Sequence, residues 1–185
     1  MGNELHETDE NTGTMEVLER HQFDVSKLQD FMHENVDGFE GDIKLEEFKG
    51  GQSNPTYKVI TPNQSYVLRR KPPGKLLKSA HAVDREYKVI TGLNKTNVPV
   101  PKSYALCEDD DVIGTAFYLM EFKDGRVLWD AAMESSDKDE ALGVYESMND
   151  SMAKLHLVNP NEIGLEDFGK PGNYVGRQVS RWSKQ

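Results

Sequence analysis

The chain has 185 residues, of which 36% are hydrophobic and 29% are charged, and its formal net charge is −10. This acidic balance argues against nucleic acid as a partner, because nucleic-acid binding depends on clustered Lys and Arg. No apolar run approaches the ~18 residues of a membrane-spanning helix, and we expect neither a membrane partner nor a secretory signal. With one cysteine, Cys107, we expect no intramolecular disulfide, no cysteine-based zinc site and a cytoplasmic location.

The first part of the chain predicts a lead-in followed by a helix. Residues 1 to about 15 are polar and acidic, which is typical of a mobile tail, and the tail and lead-in together span residues 1–23. Asp24 is a good N-cap for a helix. Apolar residues follow it at helical spacing: Leu28, Phe31, Met32 and Val36. Gly38 and Gly41 then end this helix.

The middle of the chain alternates between strands and turns. Strands are predicted over residues 43–48, 56–60, 65–70, 103–107 and 115–122. A helix is predicted over residues 80–93, and the acidic run 108–111 is predicted to be the solvated tip of a hairpin. This order predicts an α+β fold, with a five-stranded antiparallel sheet and one packed helix within residues 24–123.

Residues 124–185 predict a linker followed by helices. After a turn at Asp124-Gly125, a long helix is predicted from Ser136 to about His156. We expect its apolar face to be buried: Ala141, Val144, Tyr145, Met148, Met152 and Leu155. The remainder is rich in loops and ends in a predicted helix that carries Trp182.

A glycine-rich turn separates the first two predicted strands and is the first candidate binding element. Its residues are Gly50, Gly51, Gln52, Ser53 and Asn54. Glycine has no Cβ, so such a turn can bring backbone N–H groups close to a phosphate, and Ser53 and Asn54 add side-chain donors. The same residues are also typical of an ordinary hairpin.

Arg69 and Glu86 form the second candidate element. Arg69 lies in the third strand among apolar neighbours, where a charge needs a partner. Glu86 shares the sheet-facing side of the following helix with Val83 and Ile90. Kinases use such a strand cation and helix carboxylate to hold the phosphates of ATP. The alternatives are an Arg69 that points to solvent and a Glu86 that pairs with Arg85 or Lys88.

The end of the last predicted strand is the third candidate element: Met120, Glu121, Phe122 and Lys123. A chain that leaves a sheet into a linker exposes backbone N–H and C=O groups, and these can bind an adenine edge. The alternative is an ordinary strand end. The order of the three elements along the chain is what favours a nucleotide site.

Several segments together resemble the aminoglycoside phosphotransferase and choline kinase superfamily, from about residue 24 onward. They are GGQSNPTYKV, YVLRRKPPGKLLKSAHAVDREYKVI, FYLMEFKDGRVLWD, MAKLH and GNYVGRQVSRW. The chain is most similar to the branch found fused to acyl-CoA dehydrogenases. This resemblance implies a protein-kinase-like fold of two lobes, with residues 24–123 as the N-lobe and residues 124–185 as the linker and the start of the C-lobe.

The resemblance also implies roles for the candidate residues. Residues Gly50 to Asn54 would cover the phosphates of ATP, and Arg69 would replace the usual kinase lysine with Glu86 as its partner. Met120 would line the back of the adenine pocket, and the backbone of Glu121 and Lys123 would face the adenine edge, with Phe122 between them. The turn departs from the kinase G-x-G-x-x-G pattern, and Arg in place of Lys puts the fine positioning of phosphate in question.

The catalytic residues of the family have no match in this sequence. Family members carry a base Asp, an Asn and a metal-binding Asp beyond the matched region, and we assign no catalytic or metal residue here. Asp167-Phe168-Gly169 spells the kinase metal motif, but no Asp lies between His156 and Asp167, so we interpret this triplet as a coincidence. The chain is therefore expected to end before the catalytic loop.

These observations predict the ATP-binding portion of a small-molecule phosphotransferase, with ATP and Mg²⁺ as cofactors of the intact relative. The intact enzyme would move the γ-phosphoryl of ATP to a hydroxyl of a small metabolite. The alternative is a non-catalytic nucleotide-binding or interaction module that works through a partner chain. Side chains expected to be exposed here, which a homodimer or a complementing C-lobe chain would cover, are Tyr174, Val175, Val179 and Trp182.

Overall fold

The computed structural model describes residues 12–50, 54–74, 81–128, 130–133, 136–170 and 172–183. Its strands are β1 (Thr14–Met15), β2 (Lys44–Phe48), β3 (Thr56–Ile60), β4 (Ser65–Arg70), β5 (Ser103–Cys107) and β6 (Phe117–Glu121). They form one antiparallel sheet in the order β1-β2-β3-β4-β6-β5. The predicted α+β fold is confirmed, but the sheet has six strands instead of the predicted five.

The helices are α1 (Val25–Asn35), α2 (Val83–Leu93), α3 (Asp110–Ile113), α4 (Lys138–His156) and α5 (Tyr174–Trp182). Asp24 caps α1 as predicted, because its side chain accepts hydrogen bonds from the backbone N–H groups of Ser26 and Lys27. None of the helices in the described ranges is long and apolar enough to span a membrane.

The acidic run 108–111 is exposed and lies in the connection between the paired strands β5 and β6, as the predicted solvated hairpin tip requires, but the short helix in this connection was not predicted. Asp109 caps this helix, α3, through the backbone N–H of Asp111. The helix is held down by Ile113, which is 4% exposed. The acidic side chains therefore occupy the N-terminal turn of a helix, where negative charge is favourable.

The sheet has a core on each face, because side chains alternate between the faces along each strand. On one face, Leu28 and Met32 of α1 pack with Leu68 and Leu119, and all four side chains are fully buried. On the other face, α2 packs through Val83 against the strand-β6 side of the sheet. The face that carries α2 is the one that carries the candidate site.

The lead-in is part of the fold from residue 14, so the mobile tail predicted for residues 1 to about 15 is wrong at its end. Thr14 and Met15 pair with Phe48 and Glu47 of β2. The carboxylate of Glu47 then accepts the backbone N–H of Leu18 at 3.1 Å and contacts Nδ1 of His21 at 2.7 Å. Residues 1–11 lie outside the described residues.

The predicted burial of the α4 face is also wrong. No residue of α4 is buried, and Tyr145, Met148 and Met152 are each more than 40% exposed. The helical spacing does mark an apolar face, but the part of the chain that the structure describes does not cover it. The predicted exposure on α5 is confirmed at four side chains: Tyr174, Val175, Val179 and Trp182.

The burial of Tyr57 on the α1 side of the sheet can be tested through the pH dependence of stability. Burial raises the pKa of Tyr57 to about 12, although the charge of Arg70 opposes the shift, and its hydroxyl donates to the carbonyl of His21 at 2.9 Å. A Tyr pKa that is higher in the folded state stabilises the fold below pH ~10, and this stabilisation is lost as pH rises towards 12. Between pH 9 and pH 11 we expect Tyr57 to account for a loss of about 1 kcal/mol in the free energy of unfolding.

Urea unfolding at the two pH values measures this loss. Tyr57→Phe should be less stable than wild type at pH 9 by about 1 kcal/mol, because its hydrogen bond is gone, but should lose less stability on going to pH 11. Tyr174→Phe, at a residue that is 66% exposed, is the matched control and should follow wild type. A Tyr57→Phe variant with the wild-type pH dependence would contradict the assignment.

Candidate functional site

Three polar side chains form a row across the sheet on the α2 side. The register pairs Thr56 of β3 with Arg69 of β4, and Arg69 with Tyr118 of β6. Directly opposed residues of antiparallel strands project to the same face. The three side chains are therefore neighbours, and α2 lies over them.

Arg69 meets Glu86 of α2, as the sequence predicted. Nε of Arg69 donates to Oε2 of Glu86 at 2.9 Å, and Nη2 donates to Oε1 at 3.4 Å. About a third of each side chain is exposed, so the pair lies at the edge of the core and is open to a ligand. The alternatives, in which Arg69 points to solvent and Glu86 pairs along its own helix, are excluded by this geometry.

The carboxylate of Glu86 accepts from two further groups. Tyr118 donates its hydroxyl to Oε2 at 3.0 Å, and Nδ2 of Asn54 donates to Oε1 at 3.2 Å. Each carboxylate oxygen thus has two donors. Tyr118 is 1% exposed, and burial followed by the negative charge of Glu86 raises its pKa above the ordinary tyrosine value, so it remains a donor at neutral pH.

Asn54 connects the glycine-rich turn to α2. It is 5% exposed, and besides Glu86 it contacts Nδ1 of His81 through Oδ1 at 2.7 Å. Gly50, at the other end of the turn, has φ +81°, which only glycine adopts readily. The remaining predicted residues of the turn, Gly51, Gln52 and Ser53, lie outside the described residues.

Arg69 keeps donor capacity for a ligand. A guanidinium has five N–H donors, and two of those of Arg69 go to Glu86 while a third, from Nη1, goes to the hydroxyl of Thr56 at 3.3 Å. Two N–H donors are left without a partner among the described residues. A guanidinium that is hydrogen-bonded along one edge and has unused N–H donors on another can donate to two oxygens of one phosphate.

The end of β6 carries the residues predicted to line the adenine pocket, and some of their backbone groups are already hydrogen-bonded. Met120 packs in the small core beneath α2. The backbone N–H of Glu121 donates to the carbonyl of Lys102 at 2.8 Å, so it is not available to an adenine edge. The backbone N–H of Lys123 has no partner among the described residues. The Glu121 side chain binds Nζ of Lys123 at 2.6 Å and the N–H of Lys102 at 3.1 Å, which lower the pKa of this carboxyl.

Phe122 belongs to an aromatic cluster that the sequence analysis missed. Its ring stacks on Phe48, with centroids 6.3 Å apart and planes at 24°, and Nζ of Lys58 lies 4.1 Å from its centroid. Strand alternation places Phe48 and Lys58 on the same face as Arg69. That alternation was visible in the sequence and could have revealed both residues.

The triplet Asp167-Phe168-Gly169 lies against α2. The guanidinium of Arg85 stacks 4.0 Å from the Phe168 ring and donates to its carbonyl at 3.1 Å. Within the described ranges, no group of three or more His, Cys, Asp or Glu side chains could hold a metal ion.

Comparison with known proteins identifies the family of the chain. The model of the phosphotransferase enzyme family, APH, matches residues 44–185. The chain belongs to this family. The resemblance and the kinase-like fold predicted from the sequence are thereby confirmed, and the candidate residues described above all lie within the matched range of this phosphotransferase domain.

The relatives of this phosphotransferase domain are longer proteins. The chain is 46% identical over 177 residues to probable acyl-CoA dehydrogenase IBR3 of Arabidopsis thaliana, covering 91% of this chain and 22% of the relative. It is 38% identical over 183 residues to acyl-CoA dehydrogenase family member 11 of Rattus norvegicus, covering 97% and 24%. A crystal structure of a proposed aminoglycoside phosphotransferase from Ralstonia eutropha JMP134 matches with a TM-score of 0.76 and 48% identity, covering 88% and 47%. The chain thus spans about a quarter of those two relatives and about half of the solved chain.

Tyr118→Phe tests the hydrogen bonding around Glu86. The variant keeps the buried ring but removes one of the two donors to Oε2, so we expect the free energy of unfolding to fall by about 1 kcal/mol. Urea unfolding at pH 7.5 measures it. Tyr87→Phe is the control, since the Tyr87 ring lies 6.0 Å from that of Tyr118 but its hydroxyl has no partner among the described residues. Equal stability of Tyr118→Phe and wild type would contradict the assigned hydrogen bond.

Proposed function

We propose that this chain is the nucleotide-binding portion of a phosphotransferase that moves the γ-phosphoryl of ATP to a hydroxyl of a small metabolite. The observation that carries the proposal is the ion pair of Arg69 and Glu86 beside the glycine-rich turn. Catalysis of phosphoryl transfer is mostly positioning and electrostatic stabilisation. A fixed cation with unused donors is the element that such catalysis requires.

Arg69 would hold the phosphates through its free edge. Glu86 and Thr56 restrain the guanidinium before any ligand arrives, so little side-chain entropy remains to be lost on binding. Arg stays charged at any physiological pH and can grip two phosphate oxygens at once. It therefore supplies the charge of the usual kinase lysine, with a more directional geometry.

The rest of the nucleotide would lie along the same face of the sheet. The turn from Gly50 to Asn54 would cover the phosphates with its backbone N–H groups. Met120 and the Phe122 ring would contact the adenine, and the backbone N–H of Lys123 would donate to its edge. Phe48 and Lys58, which contact Phe122, would complete this wall.

Mg²⁺ would accompany ATP, because family members transfer phosphate from the metal complex. The described residues provide no cluster of metal-ligating side chains, so we assign no residue of this chain to the ion and no residue to the role of base. For the acceptor we favour a hydroxylated acyl thioester over an aminoglycoside. The support is that the two longer relatives carry the names of acyl-CoA dehydrogenases.

Titration of the 185-residue chain with MgATP, followed by calorimetry, tests the site. Arg69→Ala should bind at least ten-fold more weakly than wild type, because a charge-assisted phosphate contact contributes about 1.5–3 kcal/mol. The MgATP affinity of Arg69→Lys should lie between those of Arg69→Ala and wild type, because Lys restores the charge but not the paired N–H donors of a guanidinium.

Arg20→Ala is the matched control for this titration. It removes the same charge from an exposed residue of the lead-in, outside the proposed site, and should bind MgATP like wild type. Equal affinity of Arg69→Ala and wild type would remove Arg69 from the site and refute the proposal.

A second candidate function is a nucleotide-binding module that works through another polypeptide. The exposed apolar side chains of α4 and α5 favour it, since large apolar patches on soluble proteins commonly mark interaction surfaces. If that surface joins two copies of this chain, light scattering will give a dimer that Met148→Glu dissociates. A monomer at all concentrations would exclude the homodimer.

A further inference from the structure

His81 has a defined place beside the candidate site that neither the sequence patterns nor the proposed phosphate contacts account for. It lies two residues before the first residue of α2, and Nδ1 of its ring lies 2.7 Å from Oδ1 of Asn54. Its backbone has φ 57°, a left-handed conformation that is uncommon outside glycine. The contact bridges 27 positions of sequence, between the end of the glycine-rich turn and the start of α2.

The direction of the hydrogen bonds follows from chemistry. The Glu86 carboxylate only accepts, so the amide face that meets it at 3.2 Å must be the donor, Nδ2 of Asn54. Oδ1 of Asn54 then faces His81 and needs a donor. Nδ1 of His81 must therefore carry a hydrogen, and His81 donates to Asn54, which in turn donates to Glu86.

Without His81, Oδ1 of Asn54 would lose its donor, although Asn54 is only 5% exposed. A buried acceptor without a donor is unfavourable, so we expect the Asn54 side chain to move towards water and its hydrogen bond to Glu86 to weaken. Oε1 of Glu86 would then lose one of its two donors, and the other donor is Nη2 of Arg69. A disturbance that starts at His81 would thus reach the guanidinium of Arg69 through three successive hydrogen bonds.

We propose that His81 is a positioning residue of the phosphate-binding site, which acts through Asn54 and Glu86 to hold Arg69 in its binding orientation. This inference rests on the proposed function for its effect on nucleotide. The chain of hydrogen bonds itself can be tested without any nucleotide. His81 also connects the glycine-rich turn to α2, so the two elements that would enclose the phosphates are held together.

Two substitutions of His81 that both tolerate a positive φ distinguish loss of the hydrogen-bond donor from a change in backbone strain. His81→Asn keeps an amide N–H close to the position of Nδ1, and Asn tolerates a positive φ. His81→Gly relieves the backbone but removes the donor. We expect His81→Gly to bind MgATP about three- to ten-fold more weakly than wild type, as loss of one hydrogen bond predicts, and His81→Asn to stay within about two-fold.

A second readout is independent of nucleotide. The exchange rate of the Arg69 Nε–H, followed by nuclear magnetic resonance, should rise in His81→Gly and remain near the wild-type value in His81→Asn. Asn54→Ala should resemble His81→Gly in both readouts. The double variant Asn54→Ala/His81→Gly should be no weaker than Asn54→Ala alone.

The outcomes distinguish this inference from the proposed function. If Arg69→Ala weakens MgATP binding but His81→Gly binds like wild type, the role of His81 is refuted and the nucleotide site stands. If both His81 variants are weakened equally, the donor is not what matters and the inference fails. If Arg69→Ala leaves MgATP binding unchanged, the proposed function fails, and the Nε–H exchange alone then decides the inference: faster exchange in His81→Gly supports it, and unchanged exchange overturns it.

Discussion

The carboxylate of Glu86 is the constraint on which the site depends. A partly buried charge is stable only if its oxygens are well paired, and here the donors come from three separate segments, through Asn54, Arg69 and Tyr118. Pairing this one side chain therefore connects α2 to β4, to β6 and to the end of the glycine-rich turn. The same pairing restrains the guanidinium of Arg69, two of whose N–H donors have no partner within the described ranges. If the proposed function is right, the contacts that pack α2 on the sheet are also those that position Arg69 for phosphate.

Arg69 and Arg70 are consecutive in β4, so strand alternation places one side chain on the face of the proposed binding site and the other in the interior of the fold. Arg69 projects to the α2 side, where about a third of its side chain is exposed. Arg70 projects to the other side, is 3% exposed, and lies beneath the lead-in with its guanidinium 5.1 Å from the Phe23 ring. Nε of Arg70 has no hydrogen-bond partner within the described part of the chain, so this charge is held by the ring and by a 3.5 Å contact to the carbonyl of His21. The charge of Arg70 is enclosed by the lead-in, whereas that of Arg69 is open to a ligand.

Much of this arrangement could be predicted from sequence, because it depends on local periodicity. The alternation of apolar and polar residues predicted the strands β2, β3, β4, β5 and β6. The spacing of three and four residues between Val83, Glu86 and Ile90 predicted that Glu86 faces the sheet. The missed features depend on tertiary contacts that periodicity does not carry. The strand Thr14–Met15 is too short to show an alternating pattern in the sequence. Asn54 and His81 are distant in sequence and come into contact only in the folded chain. The apolar face of α4 was correctly located but wrongly predicted to be buried, because spacing shows that a face is apolar and not what covers it.

The most direct test of the central claim is a double-mutant cycle on MgATP affinity, measured by calorimetry for wild type, Arg69→Ala, Glu86→Gln and the double variant. If Glu86 acts by holding Arg69, its replacement should weaken binding only while Arg69 is present. The account predicts that the double variant binds MgATP as Arg69→Ala does. Losses that simply add would contradict it, because the two side chains would then act independently.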